Sequence, residues 1–288
     1  MNPSSDCCPC ILKWIFERLA GPLSDQERFA VLRKVMSVLS RGFEPSANLG
    51  ALCNRCLEAV QEFFPASSAA YREFKIKCNN AASLLLEDAR VFIERGQTER
   101  DRLTRACGIA ALGNVAPIGA PSAPFEFSHV EEVIRGKADL PLLRGEPLEA
   151  VSQAHRVLYV ADNAGEIGFD SLLISLLKES GLKVTLVVKE EPFFDDAGTK
   201  DATYFGLDRV ADAVLSVNKI FVPEEASAEL ADLYSQSDLV VSKGTGNFEA
   251  LNGTAAGKTK IFLLKAKCRT VSDRTGTEMG KFVVKVDK

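Results

Sequence analysis

No apolar run in this chain is long enough to span a bilayer. Positive charge is not in excess either. Thirty-five lysines and arginines face 39 acids, a net charge of −4, so bulk electrostatics favour neither nucleic acid nor an anionic membrane as partner. The segment 11–19 carries Lys13, Glu17 and Arg18, and no small-residue cleavage site follows it, which makes a poor export signal. A soluble, cytoplasmic protein is expected. Histidine is scarce: His129 falls in an irregular stretch and His155 just before a strand. A histidine general base or a Cys-His nucleophilic pair is therefore not expected. Two phosphate-binding fingerprints are also missing, the GxxxxGK[ST] loop and a GxGxxG turn after the first strand of a βαβ unit.

Cysteine, by contrast, is plentiful and uneven. Five of the eight, Cys7, Cys8, Cys10, Cys53 and Cys56, crowd the first fifth of the chain. A chain of 288 residues without an export signal has no need of a disulfide framework. Cys7-x-x-Cys10 and Cys53-x-x-Cys56 each have zinc-knuckle spacing, and four thiolates can hold zinc. The gap between the pairs is far longer than in compact zinc modules, and a spacing of three also lets each pair lie on one buried helix face. The second reading is favoured.

Up to about residue 111 the apolar residues recur at helical spacing. Ser24 reads as an N-cap with Glu27 three residues on, and Pro65 and Gly96 read as helix ends. Prolines and glycines punctuate 113–147 as a loop. Beyond it, short β-branched runs at 157–161, 184–188, 213–217, 239–241, 261–264 and 282–286 read as strands alternating with helices. That alternation predicts an α/β fold with a mainly parallel sheet. The last two strands leave no room for a helix between them, so that end is expected to be antiparallel.

On this topology the polar residues converge. Asp162 and Asn163 follow the first strand, and Asp195 and Asp196 follow the second across a loop containing Pro192. Lys243, Gly244, Thr245, Gly246 and Asn247 follow the fourth, and Lys265 follows the fifth. All fall at the carboxyl edge of one sheet, where open α/β sheets gather ligands. Singly, each has a plainer reading as a helix cap, a turn or a solvated charge. Jointly, two carboxylates and an amide are hard donors suited to Mg²⁺ or Mn²⁺, while lysines and a glycine-flanked loop suit a phosphate. The chemistry predicted is metal-dependent hydrolysis of a phosphate ester.

The run LYVADNAGEIGFDSLLI resembles the signature of the metal-dependent damage-control phosphatases, formerly the domain of unknown function 89 family. SKGTGNFEAL and FLLKAKC resemble its second and third motifs, and EPFFDDAGTKDA its metal-donor loop. CCPC at the start is most like the cysteine-bearing first subfamily. The resemblance covers nearly the whole chain. It implies a helical domain over 1–150, with an irregular linker near its end, packed on a three-layer α/β/α domain over 151–288 with a Rossmann-like sheet. It further implies that Asp162, Asn163 and Asp196 bind a metal, Mn²⁺, Co²⁺, Ni²⁺ or Mg²⁺. Lys243, Gly244, Thr245, Gly246 and Asn247 would meet the substrate phosphate, and Lys265 would neutralise phosphoryl charge. Glu166 would support the site, Asp170 would be structural, and Asn114 would reach the site from the helical part.

Two positions depart from the family pattern. Pro117 stands where an acid is usual, and Asp195 stands where an asparagine is usual. The added charge at Asp195 is expected to strengthen cation binding or change metal preference. The function implied is a metal-dependent phosphatase of small phosphorylated metabolites, such as sugar phosphates or cofactor-related esters, as a monomer or small homo-oligomer. Asp162 or Asp196 would orient the attacking water, with Lys265 stabilising the transition state; a covalent aspartyl-phosphate is not excluded. The rivals are a non-catalytic phosphometabolite- or nucleotide-binding protein, a methyltransferase, and an N-terminal metal module on Cys7, Cys10, Cys53 and Cys56.

Overall fold

A computed structural model describes every residue except 191–192 and 255–256, and every side chain except those and residues 66, 67 and 69. Pro192 thus lies outside the described residues. The strands are β1 (Leu142–Arg144), β2 (Arg156–Val160), β3 (Lys183–Lys189), β4 (Ala213–Val217), β5 (Leu239–Lys243), β6 (Thr259–Lys265) and β7 (Phe282–Asp287). They form one sheet in the order β1-β7-β6-β5-β2-β3-β4. Every neighbouring pair is parallel except β6 and β7. The mixed α/β class with a mostly parallel sheet is as the sequence predicts.

The helices are α1 (Cys7–Ala20), α2 (Asp25–Gly42), α3 (Leu49–Ala59), α4 (Phe64–Glu94), α5 (Glu99–Leu112), α6 (Ser128–Ile134) and α7 (Pro147–Ser152) before β2. After it come α8 (Glu166–Glu179), α9 (Thr199–Tyr204), α10 (Leu207–Val210), α11 (Ala228–Gln236), α12 (Gly244–Leu251) and α13 (Arg269–Thr275). Successive residues of a strand point to opposite faces, and both faces here are covered, so the inner strands are mostly apolar on both sides. Val157, Tyr159 and Ala161 pack among residues of α4 to α8. Leu158 and Val160 pack among residues of α1, α2, α3, α11 and α12. Residues 1–150 therefore supply helices to both faces of the sheet.

Local chemistry explains several helix starts. Ser24 caps α2 and shares a capping box with Glu27, and Asn48 and Thr98 cap α3 and α5. Three expectations need correction. Pro65 opens α4 instead of ending a helix, because a first-turn proline surrenders no intrahelical hydrogen bond. The stretch read as loop carries α6 and the short exposed edge strand β1. A helix, α13, does fit between the last two strands, although they are antiparallel as expected.

Candidate active site

The strand order reverses direction at β2, whose neighbours are β3 on one side and β5 on the other. A crevice opens at such a switch point, beyond the carboxyl ends of the strands. The loop after β2 delivers Asp162 and Asn163 there. Its turn depends on Gly165, with φ +78, whose N–H donates to Asn79 Oδ1 at 2.7 Å. A Cβ at 165 would fall 2.8 Å from the Cys78 carbonyl oxygen, so the close approach of α4 needs glycine. The loop after β3 meets this turn through backbone bonds: Ala164 N–H donates to Asp195 O, and Ala197 N–H to Asp162 O, both at 2.8 Å. Asn163 and Asp196 pair as an isolated bridge. That pairing sets Asp196 beside the first two site residues.

These side chains open on a cavity of about 140 Å³. Asp162, Asn163, Asp196, Lys189 and Lys267 line one part of it, with Thr245, Gly246 and Asn247 from the first turn of α12. Cys7, Cys10, Ile11 and Trp14 of α1, Cys53 of α3 and Cys268 line it too.

A family model for the damage-control phosphatase ARMT1-like domain matches residues 4–283. The chain belongs to the damage-control phosphatase family. The damage-control phosphatase of Archaeoglobus fulgidus is 27% identical over 292 residues, which is 99% of this chain and 99% of that protein. A Pyrococcus horikoshii damage-control phosphatase is 31% identical over 182 residues, 62% of this chain and 63% of its own. The crystal structure of a DUF89 family protein from Pyrococcus horikoshii superposes with a TM-score of 0.80 over 100% of both chains. At 24% identity, that likeness shows the shared fold.

In this member of the damage-control phosphatase family, Asp162 Oδ2 accepts hydrogen bonds from Asn114 Nδ2 at 2.8 Å and Asn163 Nδ2 at 2.9 Å. The amide nitrogen of Asn163 is thus spent on its neighbours, which leaves its Oδ1 for a ligand. Asn114 is buried behind Asp162 and also donates to Glu166 Oε2 at 3.0 Å, while its Oδ1 accepts the Lys265 N–H at 3.2 Å. It joins the end of α5 to β6 and does not line the cavity.

Lys243 is fully buried. Its ammonium lies 2.7 Å from Asp170 Oδ1 and 3.2 Å from Glu166 Oε1, with both carboxylates fully buried too. Burial alone would drive that ammonium's pKa down, but Asp170 and Glu166 outweigh it and hold the pKa above its usual value. Burial pushes Glu166 up to about 7, against the pull of Lys243, and raises Asp170 in the same way. Tyr159 donates to Asp170 at 2.8 Å from the middle of β2. The group lies behind the cavity and braces the loops that line it.

The two lysines of the third motif separate. Lys265 Nζ lies 5.0 Å from the centroid of the Phe282 ring, while Lys267 lines the cavity. Burial lowers the Lys267 pKa, and Asp162 and Glu166 raise it. Lys189, at the end of β3, places Nζ 3.9 Å from Asp196 Oδ1. Burial pushes Asp196 up to about 6, partly offset by Lys189 and augmented by Asp162. Lys267, Lys189 and the α1–α3 wall were missed by sequence reasoning. Asp195, expected to add charge to the site, is instead fully buried and ion-paired with Arg18 of α1. Its charge is compensated, so it adds nothing to a cation site.

The cysteine sets do not coincide with the knuckle pattern: Cys7, Cys10, Cys53 and Cys268 line the cavity, whereas Cys56 is not among them. All eight are free. Burial pushes the Cys10 and Cys56 thiols up to about 12, which keeps both protonated. Among the described residues, no three histidine, cysteine or acidic side chains gather in metal-binding geometry. Asp162, Asp196 and the Asn163 amide fit a hard divalent ion that takes the remainder of its ligands from water and substrate. A Cβ at Gly244 would collide with Asp162 Oδ2, so only glycine leaves that carboxylate in place.

Proposed function

We propose that the protein is a metal-dependent phosphatase of small phosphorylated metabolites, with Asp162, Asn163 and Asp196 holding the divalent ion. The observation that carries this reading is the placement of Asp162, Asn163 and Asp196 beside Lys189 and Lys267 in one small cavity. A divalent cation held by Asp162 and Asp196, with Lys189 and Lys267 beside them, supplies positive charge for a phosphate monoester dianion. The cavity of about 140 Å³ suits a compact substrate.

When bound, Mn²⁺, Co²⁺, Ni²⁺ or Mg²⁺ supplies Lewis-acid polarisation of a phosphoryl oxygen and lowers the pKa of water. Lys267 and Lys189 stabilise charge that grows on the phosphoryl oxygens in the transition state. Thr245 and Gly246 present backbone N–H groups from the first turn of α12, where the helix dipole favours an anion. Asp196, or Asp162 in its place, orients the attacking water and takes its proton. Lys243, Glu166 and Asn114 act from behind by holding Asp162 and the α12 turn.

The test is hydrolysis of p-nitrophenyl phosphate by chelator-stripped protein, with divalent metals restored one at a time and Asp162→Ala alongside. Turnover that needs metal and disappears in the variant is expected. Full activity in Asp162→Ala, or metal-independent turnover, would sink the assignment. Tight metal binding without turnover of any ester would favour a binding protein.

A further inference from the structure

Asp195 and Asp196 are adjacent in sequence but have opposite surroundings. Asp196 opens on the cavity, whereas Asp195 turns inward to the guanidinium of Arg18. Arg18 is itself buried at 6% exposure, and it arrives on α1 from the other end of the chain. Its Nη2 donates to the Pro117 carbonyl at 3.5 Å, and its guanidinium lies 5.6 Å from the Phe194 ring centroid.

The turn that leads into the two aspartates is strained. Phe194 has φ +38, a conformation that costs a bulky residue about 1–3 kcal/mol unless its surroundings enforce it. Trp14, Phe64 and Tyr71 pack around its ring, with centroids 6.2, 5.2 and 5.7 Å away. Backbone bonds tie the same loop to the Asp162 turn on its far side. Arg18 anchors the near side.

Stability alone does not account for the pair, since apolar residues of the same volume commonly stabilise a core as well or better. We propose that Arg18 is a positioning residue for the metal-binding loop: by anchoring Asp195 it holds Asp196 opposite Asp162. Without that counter-charge, Asp195 turns toward the cavity, and the loop loses the register that holds Asp196 opposite Asp162. This rests on the proposed role of Asp162, Asn163 and Asp196 as metal ligands.

The test is calorimetric Mn²⁺ binding to the chelator-stripped full chain, comparing wild type with Arg18→Met, Arg18→Lys, Asp195→Asn and the double variant Arg18→Met/Asp195→Asn. Melting temperatures are recorded in parallel. Arg18→Met is expected to weaken Mn²⁺ binding by about tenfold or more, the usual cost of losing a group that orients a ligand. Arg18→Lys should recover part of the loss. The double variant should bind better than Arg18→Met alone, because the uncompensated carboxylate is gone. A purely structural role would lower the melting temperature and leave the Mn²⁺ affinity of the folded protein unchanged. An affinity within twofold of wild type in folded Arg18→Met, or strictly additive effects in the double variant, overturns the proposal. If Arg18→Met does not fold, Arg18→Lys and Asp195→Asn carry the same comparison. A wild-type protein that binds no divalent ion would remove the metal-site reading itself, and that result appears before any variant is made.

Discussion

Gly244 and Asp162 stand at the ends of adjacent parallel strands, β5 and β2, in such close approach that no side chain fits at 244. The glycine has φ +77, and a Cβ there would fall 1.8 Å from Asp162 Oδ2. The clash is with the carboxylate itself, so substitution must move either Asp162 or the first turn of α12. Gly244→Ala is therefore expected to cost about 100-fold in kcat/KM, the scale of a misplacement of about 1 Å at a reacting centre. Steady-state kinetics on a generic ester check this, and near wild-type kcat/KM would show that the approach is incidental.

Lys243 makes a separate prediction about stability. Removing its ammonium strands Glu166 and Asp170 as buried carboxylates without a counter-charge. Lys243→Met should destabilise the fold by roughly 3–5 kcal/mol, measured by urea unfolding. A loss below about 1 kcal/mol would mean that both acids bind protons at little cost.

The two lysines of the third motif should differ sharply. Lys267→Ala removes a cation from the cavity and is expected to lower kcat/KM by about 10²–10³-fold. Lys265→Ala removes an ammonium stacked on Phe282 and should have a much smaller effect. Equal losses in the two variants would contradict the cavity assignment.

Glu249 sets a pH dependence. It lines the cavity, and burial raises its carboxyl from 4.5 to about 7, against the pull of the N-terminal amine and Lys267. The folded state thus holds this proton more tightly than the unfolded chain does. Its stabilising contribution is complete below about pH 4.5 and is lost as pH rises through 7. Melting temperatures of metal-free wild type and Glu249→Gln should therefore draw apart between pH 5 and 8, with wild type falling relative to the variant. Parallel curves would place the Glu249 titration outside that range.

Much of the sheet was legible because buried parallel strands are short apolar runs bounded by turn residues. Strand β1 was not, since Leu142–Arg144 is a three-residue exposed edge set among prolines and glycines. Asp162, Asn163 and Asp196 could be placed at this cavity from sequence because, jointly, polar groups that follow buried strands converge at one sheet edge. Lys265 and Lys267 could not be told apart, because Lys265 ends β6 and the chain beyond no longer follows a strand's fixed alternation. Its path there is set by Ala266, whose N–H and C=O bond to Lys281 and Gly280, a contact made across the sheet edge. Arg18 and Lys189 look like ordinary solvated charges in sequence. Their burial comes from tertiary packing that no local pattern encodes, and the same holds for Asp195.

Because α1 and α3 line the same cavity as the carboxylates, its walls come from distant stretches of chain. The loops at the sheet edge tolerate little change, since each carries a donor, a cation or a glycine at a close approach. Helices α1 and α3 present thiols, Trp14 and aliphatic side chains, where exchange of one for another alters the shape of the space but not the groups that react. Descendants of one ancestral sequence can in this way come to accept different molecules while performing the same reaction. A fragment cut down to residues 151–288 would keep Asp162, Asp196 and the lysines of the cavity, but it would lose the side chains of α1 and α3 that line it and the arginine that faces Asp195.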